Sequence, residues 1–233
     1  MLNNALNKFK RFKKIIKDQN YLYRQELIDQ LLKKINFRGD AKFLDVGCGN
    51  GEATLKHAKS ANIIQENVYG LDIDDDCIKL AKSNGIKVFK IDLEKERFPF
   101  DNETFELIIV DQVFEHLKNL LNLINEIDRV LAPNGYLIIS TPNLAALHNR
   151  FLLLIGKQPL CINVFGDHIR GFTKNALQCF VLKSCKQIET VCFRGAGFYP
   201  FFGFLAKILA KIFPTLSVYL IFVFRKNENS SSK

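Results

Sequence analysis

The sequence predicts an α/β protein, a doubly wound and mostly parallel sheet with helices on both faces. Three observations predict it. Between residues 41 and 143 short apolar runs alternate with helical stretches, the order that builds one parallel sheet and covers both of its faces. A glycine-rich loop, Gly47-Cys48-Gly49-Asn50-Gly51, follows the first apolar run and leads straight into residues that can start a helix. Carboxylates (Asp45, Asp72, Asp92, Asp111) stand at the ends of successive runs, where open α/β sheets bind their ligands.

The chain of 233 residues is long enough for one sizeable core, and no Pro/Gly/Ser-rich linker divides it. Its charge is unevenly placed: residues 1–40 carry a net +6, residues 41–145 a net −6 and residues 146–233 a net +9. A mildly acidic centre is thus flanked by basic ends that suit an anionic surface. Six cysteines (Cys48, Cys77, Cys161, Cys179, Cys185, Cys192) are dispersed, with no C-x-x-C pair and no histidine at zinc spacing. This reads as small apolar residues in a reducing, cytoplasmic compartment, with no metal site expected.

Residues 1–17 place Leu2, Ala5, Leu6, Phe9, Phe12 and Ile16 on one side of a helix and lysines and arginine on the other. Such a basic amphipathic helix is either a lid on the core or a contact with an anionic membrane. A second helix, about Tyr21 to Ile35, carries a Leu27, Ile28, Leu31, Leu32, Ile35 stripe and covers a sheet edge or the mouth of the site. The core follows, with strands at 42–46, 67–71, 87–91, 106–110 and 136–140 and helices at 52–61, 75–83 and 120–130. Chain breaks near Asn62 and Gly85 and the Pro133-Asn134-Gly135 turn punctuate it. Beyond it, an apolar insertion at 144–172 leads to Thr173, which can cap a helix at 174–184. Strands at 187–193 and 218–224 close the chain, with an amphipathic helix at 201–213 between them. That helix has Phe201, Leu205, Ile208, Leu209 and Ile212 on one face and Lys207 and Lys211 opposite. The tail, 227–233, reads as disordered.

The glycine loop itself reads as a small-ligand cradle. In the dinucleotide fingerprint the third glycine falls five residues after the first; here Gly51 falls four after Gly47. Asp45, two residues before the loop, suits a ligand with a cationic centre better than a pyrophosphate. The stretch Phe43 to Thr54 resembles the first motif of class I S-adenosylmethionine-dependent methyltransferases of the Rossmann type. Two further stretches, FPFDNETFELIIVDQVFEHLKN and RVLAPNGYLIISTPN, are similar to the fourth-strand and fifth-strand segments of the small-molecule and lipid-type members. The resemblance covers residues 41–143 closely and implies a seven-stranded sheet whose last strand is antiparallel.

It also implies S-adenosyl-L-methionine as cofactor. Asp45, Gly47, Cys48, Gly49 and Gly51 would hold its methionine end, Asp72 with Ile73 the ribose, and Asp92 with Leu93 the adenine, with Asp111 near the methionine moiety. His116, His148 and His168 are candidate general bases. Arg170, in an H-x-R-x-F-[ST] element, is a candidate acceptor contact. The domain reading is thus 1–40 for the basic N-terminal helices, 41–226 for the catalytic domain and 227–233 for the tail. The expected activity is methyl transfer to an O, N or C nucleophile of a small or lipid-linked acceptor, with peripheral contact to an anionic membrane. The alternative is a non-catalytic cofactor-binding or membrane-adaptor protein. Basic residues interleaved with Phe and Leu at helical spacing argue against nucleic acid as partner.

Overall fold

A computed structural model describes residues 18–162, 164 and 166–228. The first basic amphipathic stretch, 1–17, lies outside them. The described chain opens on a helix, α1, that covers residues 18–32. The core is β1 (Phe43–Val46), α2 (Glu52–Ser60), β2 (Val68–Asp72), α3 (Asp75–Ser83), β3 (Lys87–Lys90), β4 (Phe105–Asp111), α4 (Leu120–Val130) and β5 (Leu131–Pro142). It continues through α5 (Leu147–Leu154), α6 (Lys174–Ser184), β6 (Ile188–Ala196), α7 (Gly203–Ile212) and β7 (Tyr219–Lys226).

The seven strands form one sheet in the order β3-β2-β1-β4-β5-β7-β6, and β7 runs antiparallel to both of its neighbours. Strand order reverses between β1 and β4, so a crevice opens beyond their carboxyl ends. β1 and β4 are buried along most of their length because both sheet faces are covered, which explains their apolar runs, broken only by Asp45, Glu106 and the terminal Asp111. One core layer contains Leu44, Ile108, Phe114, Phe222 and Phe224 and packs under α4 and α6; the other contains Phe43, Leu107, Ile109 and Ile221 and packs under α1, α2 and α3.

Local chemistry sets the helix ends. Asp74 accepts from the amides of Asp76 and Cys77 at the start of α3, Asn119 caps α4, and Thr173 caps α6 as its sequence position suggests. Asn62 and Gly85 adopt left-handed conformations just after α2 and α3, which stops each helix.

Several details depart from expectation. The 133–135 turn does not precede the fifth strand but lies within β5, where the register against β4 shifts between Phe105 and Leu107 and Asn134 takes a φ of 63°. A local bulge with a left-handed asparagine satisfies a turn signal without ending the strand. Residues 227 and 228 are tied to the sheet, because the Asn227 amide donates to the Gln187 carbonyl and the Asn134 side chain donates to the Glu228 carboxylate; the rest of the expected tail lies outside the described residues. In α7 the buried residues are Ala206 and Ala210, with Leu209 packed beside them, while Phe204, Leu205, Ile208 and Ile212 face outward, Phe204 at 80% exposure. Small residues let the helix approach closely on that side, so most of the apolar stripe read from the sequence stays on the surface. Among the described residues no helix is long and apolar enough to cross a membrane.

Phe222 lies on the central antiparallel strand, fully buried, with its ring 4.8 Å from Phe193 and 5.4 Å from Phe224. Phe222→Ala should cost about 3–5 kcal/mol in denaturant unfolding, the range for a truncated core aromatic; a loss under 1 kcal/mol would show a looser core.

Candidate functional site

The loop between β1 and α2 is shaped by its glycines. Gly47 has a φ of 79°, and a β-carbon there would sit 2.6 Å from the Val113 side chain. Gly49, at 53°, has nothing within 4 Å of that position, so the backbone is open to a ligand. The loop is not an anion cradle. The amides of Gly47 and Cys48 donate to the Leu71 carbonyl at 2.8 and 3.0 Å, that of Gly51 donates to Cys48, and that of Gly49 donates to the Asp72 carboxylate at 2.8 Å. The nearby Asn50 side chain accepts from Glu52 N, the first amide of α2.

Carboxylates converge beside this loop. Asp45 is buried and accepts from the Thr54 hydroxyl at 2.5 Å. Burial pushes its pKa up to about 6, against the Thr54 hydrogen bond that favours the ionised form. Asp72, at the end of β2, accepts from the Gly49 amide on one oxygen and from the Ile73 and Asp74 amides on the other. Next to it Ile73 is 60% exposed, an apolar side chain beside a carboxylate. Asp111, at the end of β4, accepts from Arg24 Nη2 at 2.9 Å and Gln25 Nε2 at 2.7 Å, both from α1.

A cavity of about 490 Å³ is bounded by Asp45, Gly47, Cys48, Gly49 and Asp111 on the sheet side and by Tyr21, Arg24 and Gln25 of α1. A second, about 580 Å³, is lined by Asn143, His148, Asn149, His168, Tyr199 and Tyr219, among others. Tyr21, Arg24 and Gln112 belong to both, so the two cavities meet there. Gln112 is held at a φ of 59°, with its amide on the Ser140 carbonyl and its side chain on the Ser140 hydroxyl. A non-glycine residue in that region costs about 1–2 kcal/mol, and its position at the junction is where such strain concentrates.

The structure sorts the expected residues. It brings Asp45, Gly47, Cys48, Gly49 and Asp111 to one cavity wall, with Asp72 bonded to Gly49 behind them. Gly51 begins α2. Asp92 lies farther out, past β3, where its carboxylate accepts from the Glu94 amide and pairs with Lys95 at 2.8 Å; Leu93 packs on the core. His148 and His168 line the second cavity, and burial alone lowers the His148 pKa to about 4, so it is neutral at ordinary pH. His116 is exposed and lines neither cavity. The Arg170 guanidinium donates to the carbonyls of Leu117 and Lys118 and acts as a staple between loops.

Arg24 and Gln25 were missed by sequence reasoning, as was Thr54. Arg24 falls four residues before Ile28 and seven before Leu31, so a charged residue on an apolar stripe was the available signal. It is 3% exposed, with its guanidinium 4.9 Å from the Tyr21 ring centre and 4.7 Å from that of Tyr219. A second tie joins α1 to α2, Asp29 to the buried His57 at 2.8 Å. Burial raises the Asp29 pKa, but the His57 hydrogen bond and charge outweigh it and hold the carboxyl below its usual range.

Residues 44–139 match the family described as "Methyltransferase domain". The chain is 37% identical over 118 residues to an uncharacterised protein of Methanocaldococcus jannaschii, covering 51% of this chain and 48% of that one. It is 30% identical over 118 residues to a ubiquinone biosynthesis O-methyltransferase of Rickettsia canadensis, covering 50% and 49%. The chain spans about half the length of these curated relatives. Its fold is similar to the crystal structure of an S-adenosylmethionine-dependent methyltransferase of Thermotoga maritima, titled a possible histamine N-methyltransferase, with a TM-score of 0.60, 16% identity and 96% of each chain covered.

Asp45 gives a pH signature. Its folded-state pKa is raised from 3.8 to about 6, so the stability it contributes is complete below about pH 4 and lost as pH rises through 6. The move corresponds to about 3 kcal/mol. Denaturant unfolding of the wild type should weaken by that much relative to Asp45→Asn between pH 4 and pH 7; parallel pH profiles would show that Asp45 titrates normally.

Proposed function

We propose that this chain, a member of the class I S-adenosylmethionine-dependent methyltransferase family, transfers a methyl group to a hydrophobic or lipid-linked acceptor at the cytoplasmic surface of a membrane. When bound, S-adenosylmethionine supplies a methyl group activated by its sulfonium. The residues present fit it. Arg24 Nε, Gln25 Oε1 and Asp111 Oδ1 are buried without hydrogen-bond partners, and such an atom costs about 1–3 kcal/mol. An amino-acid head group satisfies all three, its carboxylate accepting from Arg24 and its ammonium donating to Asp111 and Gln25. Among the described residues Asp72 Oδ2 accepts only from Gly49 and keeps a lone pair for a ribose hydroxyl, and Ile73 offers apolar cover to a base. This coincidence of orphaned donors and acceptors with the glycine loop carries the reading.

The second cavity is the acceptor side. Arg24 and Gln112 stand at its junction with the donor cavity, where they orient the acceptor toward the methyl group; alignment of this kind contributes several kcal/mol, up to roughly 7–11 in the best intramolecular cases. A hydroxyl acceptor must lose a proton, and we assign it to His148, a residue of this cavity with an unpartnered Nδ1, acting as a weak base because burial favours its neutral form.

The acceptor class is read from the rim. Leu154 is 81% exposed on α5, Phe204 80% on α7, and Phe151, Leu153, Ile155, Ile208 and Ile212 add to the same two helices and their ends. Large exposed apolar surface marks an interaction site; here α5 contributes His148 and Asn149 to the acceptor cavity, and α7 packs beside it through a cluster that includes Ala206, Ala210 and Leu147, on the most basic third of the chain. Such a rim can enter the head-group region while lysines meet anionic lipid. The name of the Rickettsia canadensis relative, a ubiquinone biosynthesis enzyme, fits a quinone-type acceptor.

Calorimetry should detect S-adenosylhomocysteine binding to the wild type and at least a tenfold loss in Asp72→Ala. Absence of wild-type binding together with micromolar NAD binding would reject the reading. Sedimentation with vesicles containing anionic phospholipid should fall sharply in Leu154→Asp/Phe204→Asp, a pair too exposed to disturb folding, and on raising salt. Equal sedimentation of both proteins would remove the membrane.

A further inference from the structure

We propose that Glu115, His116 and His168 form a binding site for one divalent transition-metal ion, held by a carboxylate oxygen and two imidazole nitrogens. One potential ligand atom from each residue lies within 4.8 Å of the other two. The three residues come from two segments, the turn after β4 and the loop before α6.

Three observations carry the site. Glu115 is 1% exposed, and neither of its carboxylate oxygens has a hydrogen-bond partner. A buried carboxylate without partners is costly, and a cation is the partner that satisfies it. Second, His116 Nδ1 lies 3.2 Å from the Asp167 carbonyl oxygen and His168 Nδ1 2.9 Å from that of Cys161. A carbonyl only accepts, so both Nδ1 atoms carry a proton, and in the neutral ring the lone pair available to a metal is the one on Nε2. Metal-ligating histidines are oriented in the same way by a hydrogen bond from their other nitrogen. Third, the two segments are stitched together. The amides of Ile169 and Arg170 donate to the Glu115 carbonyl at 2.9 and 3.2 Å, and the Arg170 staple crosses to residues 117 and 118. The imidazole rings of His116 and His168 are thereby held with centroids 4.8 Å apart.

The donor set selects the ion. Two imidazoles and one carboxylate suit zinc, cobalt or iron, while magnesium and calcium prefer oxygen alone. Ligands on one zinc stand about 3.3 Å apart, given metal–nitrogen distances of about 2.0–2.1 Å. The residues therefore close by up to about 1.5 Å on binding, a movement available to the exposed His116. His168 also lines the acceptor cavity, which places the ion at that cavity's wall. The site is distinct from the donor cavity and does not depend on the identity of the acceptor. Glu115 and His116 are adjacent but His168 lies 52 residues further on, so no short ligand spacing marks the set in the sequence.

The test uses the whole chain, stripped with a chelator and titrated with Co²⁺. One equivalent should produce a visible absorption band that Zn²⁺ abolishes by displacement. His116→Ala/His168→Ala should weaken Co²⁺ binding by at least about 100-fold. Both histidines are at least partly exposed, so this pair keeps the test valid should Glu115→Gln fail to fold. Binding of S-adenosylhomocysteine, measured on the same proteins, should stay within about twofold of wild type and so report an intact fold. No band at about 1 mM Co²⁺, or an equal band in the double variant, would overturn the site.

Discussion

The buried pair between Arg24 and Asp111 is the constraint on which the rest of the site depends. Asp111 ends the central strand β4, and Arg24 projects from α1, so the pair fixes the N-terminal helix over the carboxyl end of the sheet. Both charges are nearly out of solvent, and removing charges from water costs several kcal/mol per ion unless their geometry and further hydrogen bonds offset it. Gln25 supplies one such bond, and the Tyr21 and Tyr219 rings flank the guanidinium. The offset is incomplete, because Arg24 Nε and Asp111 Oδ1 remain unpartnered. A protein that keeps two half-satisfied charges in its interior gains most when a zwitterionic ligand completes them.

From that pair the division of labour follows. The sheet side contributes carboxylates and an open glycine backbone, and the helix side contributes a cation, an amide and tyrosines. Arg24 and Tyr21 belong to both cavities, so the element that closes one cavity also shapes the other. The glycine-loop cavity lies in the acidic centre, while exposed apolar side chains of α5 and α7 lie in the basic C-terminal third. Helix α7 shows how packing made that rim: Ala206 and Ala210 dock, leaving phenylalanine, leucine and isoleucine exposed. Lys207 reaches back to Glu26 at 2.7 Å, so the rim is also tied to α1.

Much of this was legible in the chain. The alternation of apolar runs gave the sheet, because parallel strands buried on both faces carry unbroken apolar sequence. The strand-end position gave Asp45, Asp72 and Asp111, since topology brings strand ends together however far apart they are in sequence. Partners across elements were not legible. Nothing local announces that Thr54 bonds Asp45, or that Arg24 travels to Asp111 instead of solvent; only its place on the stripe with Ile28 and Leu31 hinted at burial. Which side of α7 packs was not legible either, because amphipathicity reports hydrophobicity and not closeness of approach. Asp92 illustrates the limit in the other direction, since a strand-end carboxylate was correctly placed but is engaged by Lys95 and the Glu94 amide.

The most direct measurement is a double-mutant cycle on S-adenosylhomocysteine affinity with Arg24→Met, Asp111→Asn and the combined variant. If the pair holds the amino-acid head between α1 and β4, each single change weakens binding at least tenfold and the double change is clearly less than the product of the two. Wild-type affinity in all three variants would contradict the account, since the pair would then be a structural tie with no part in the donor site.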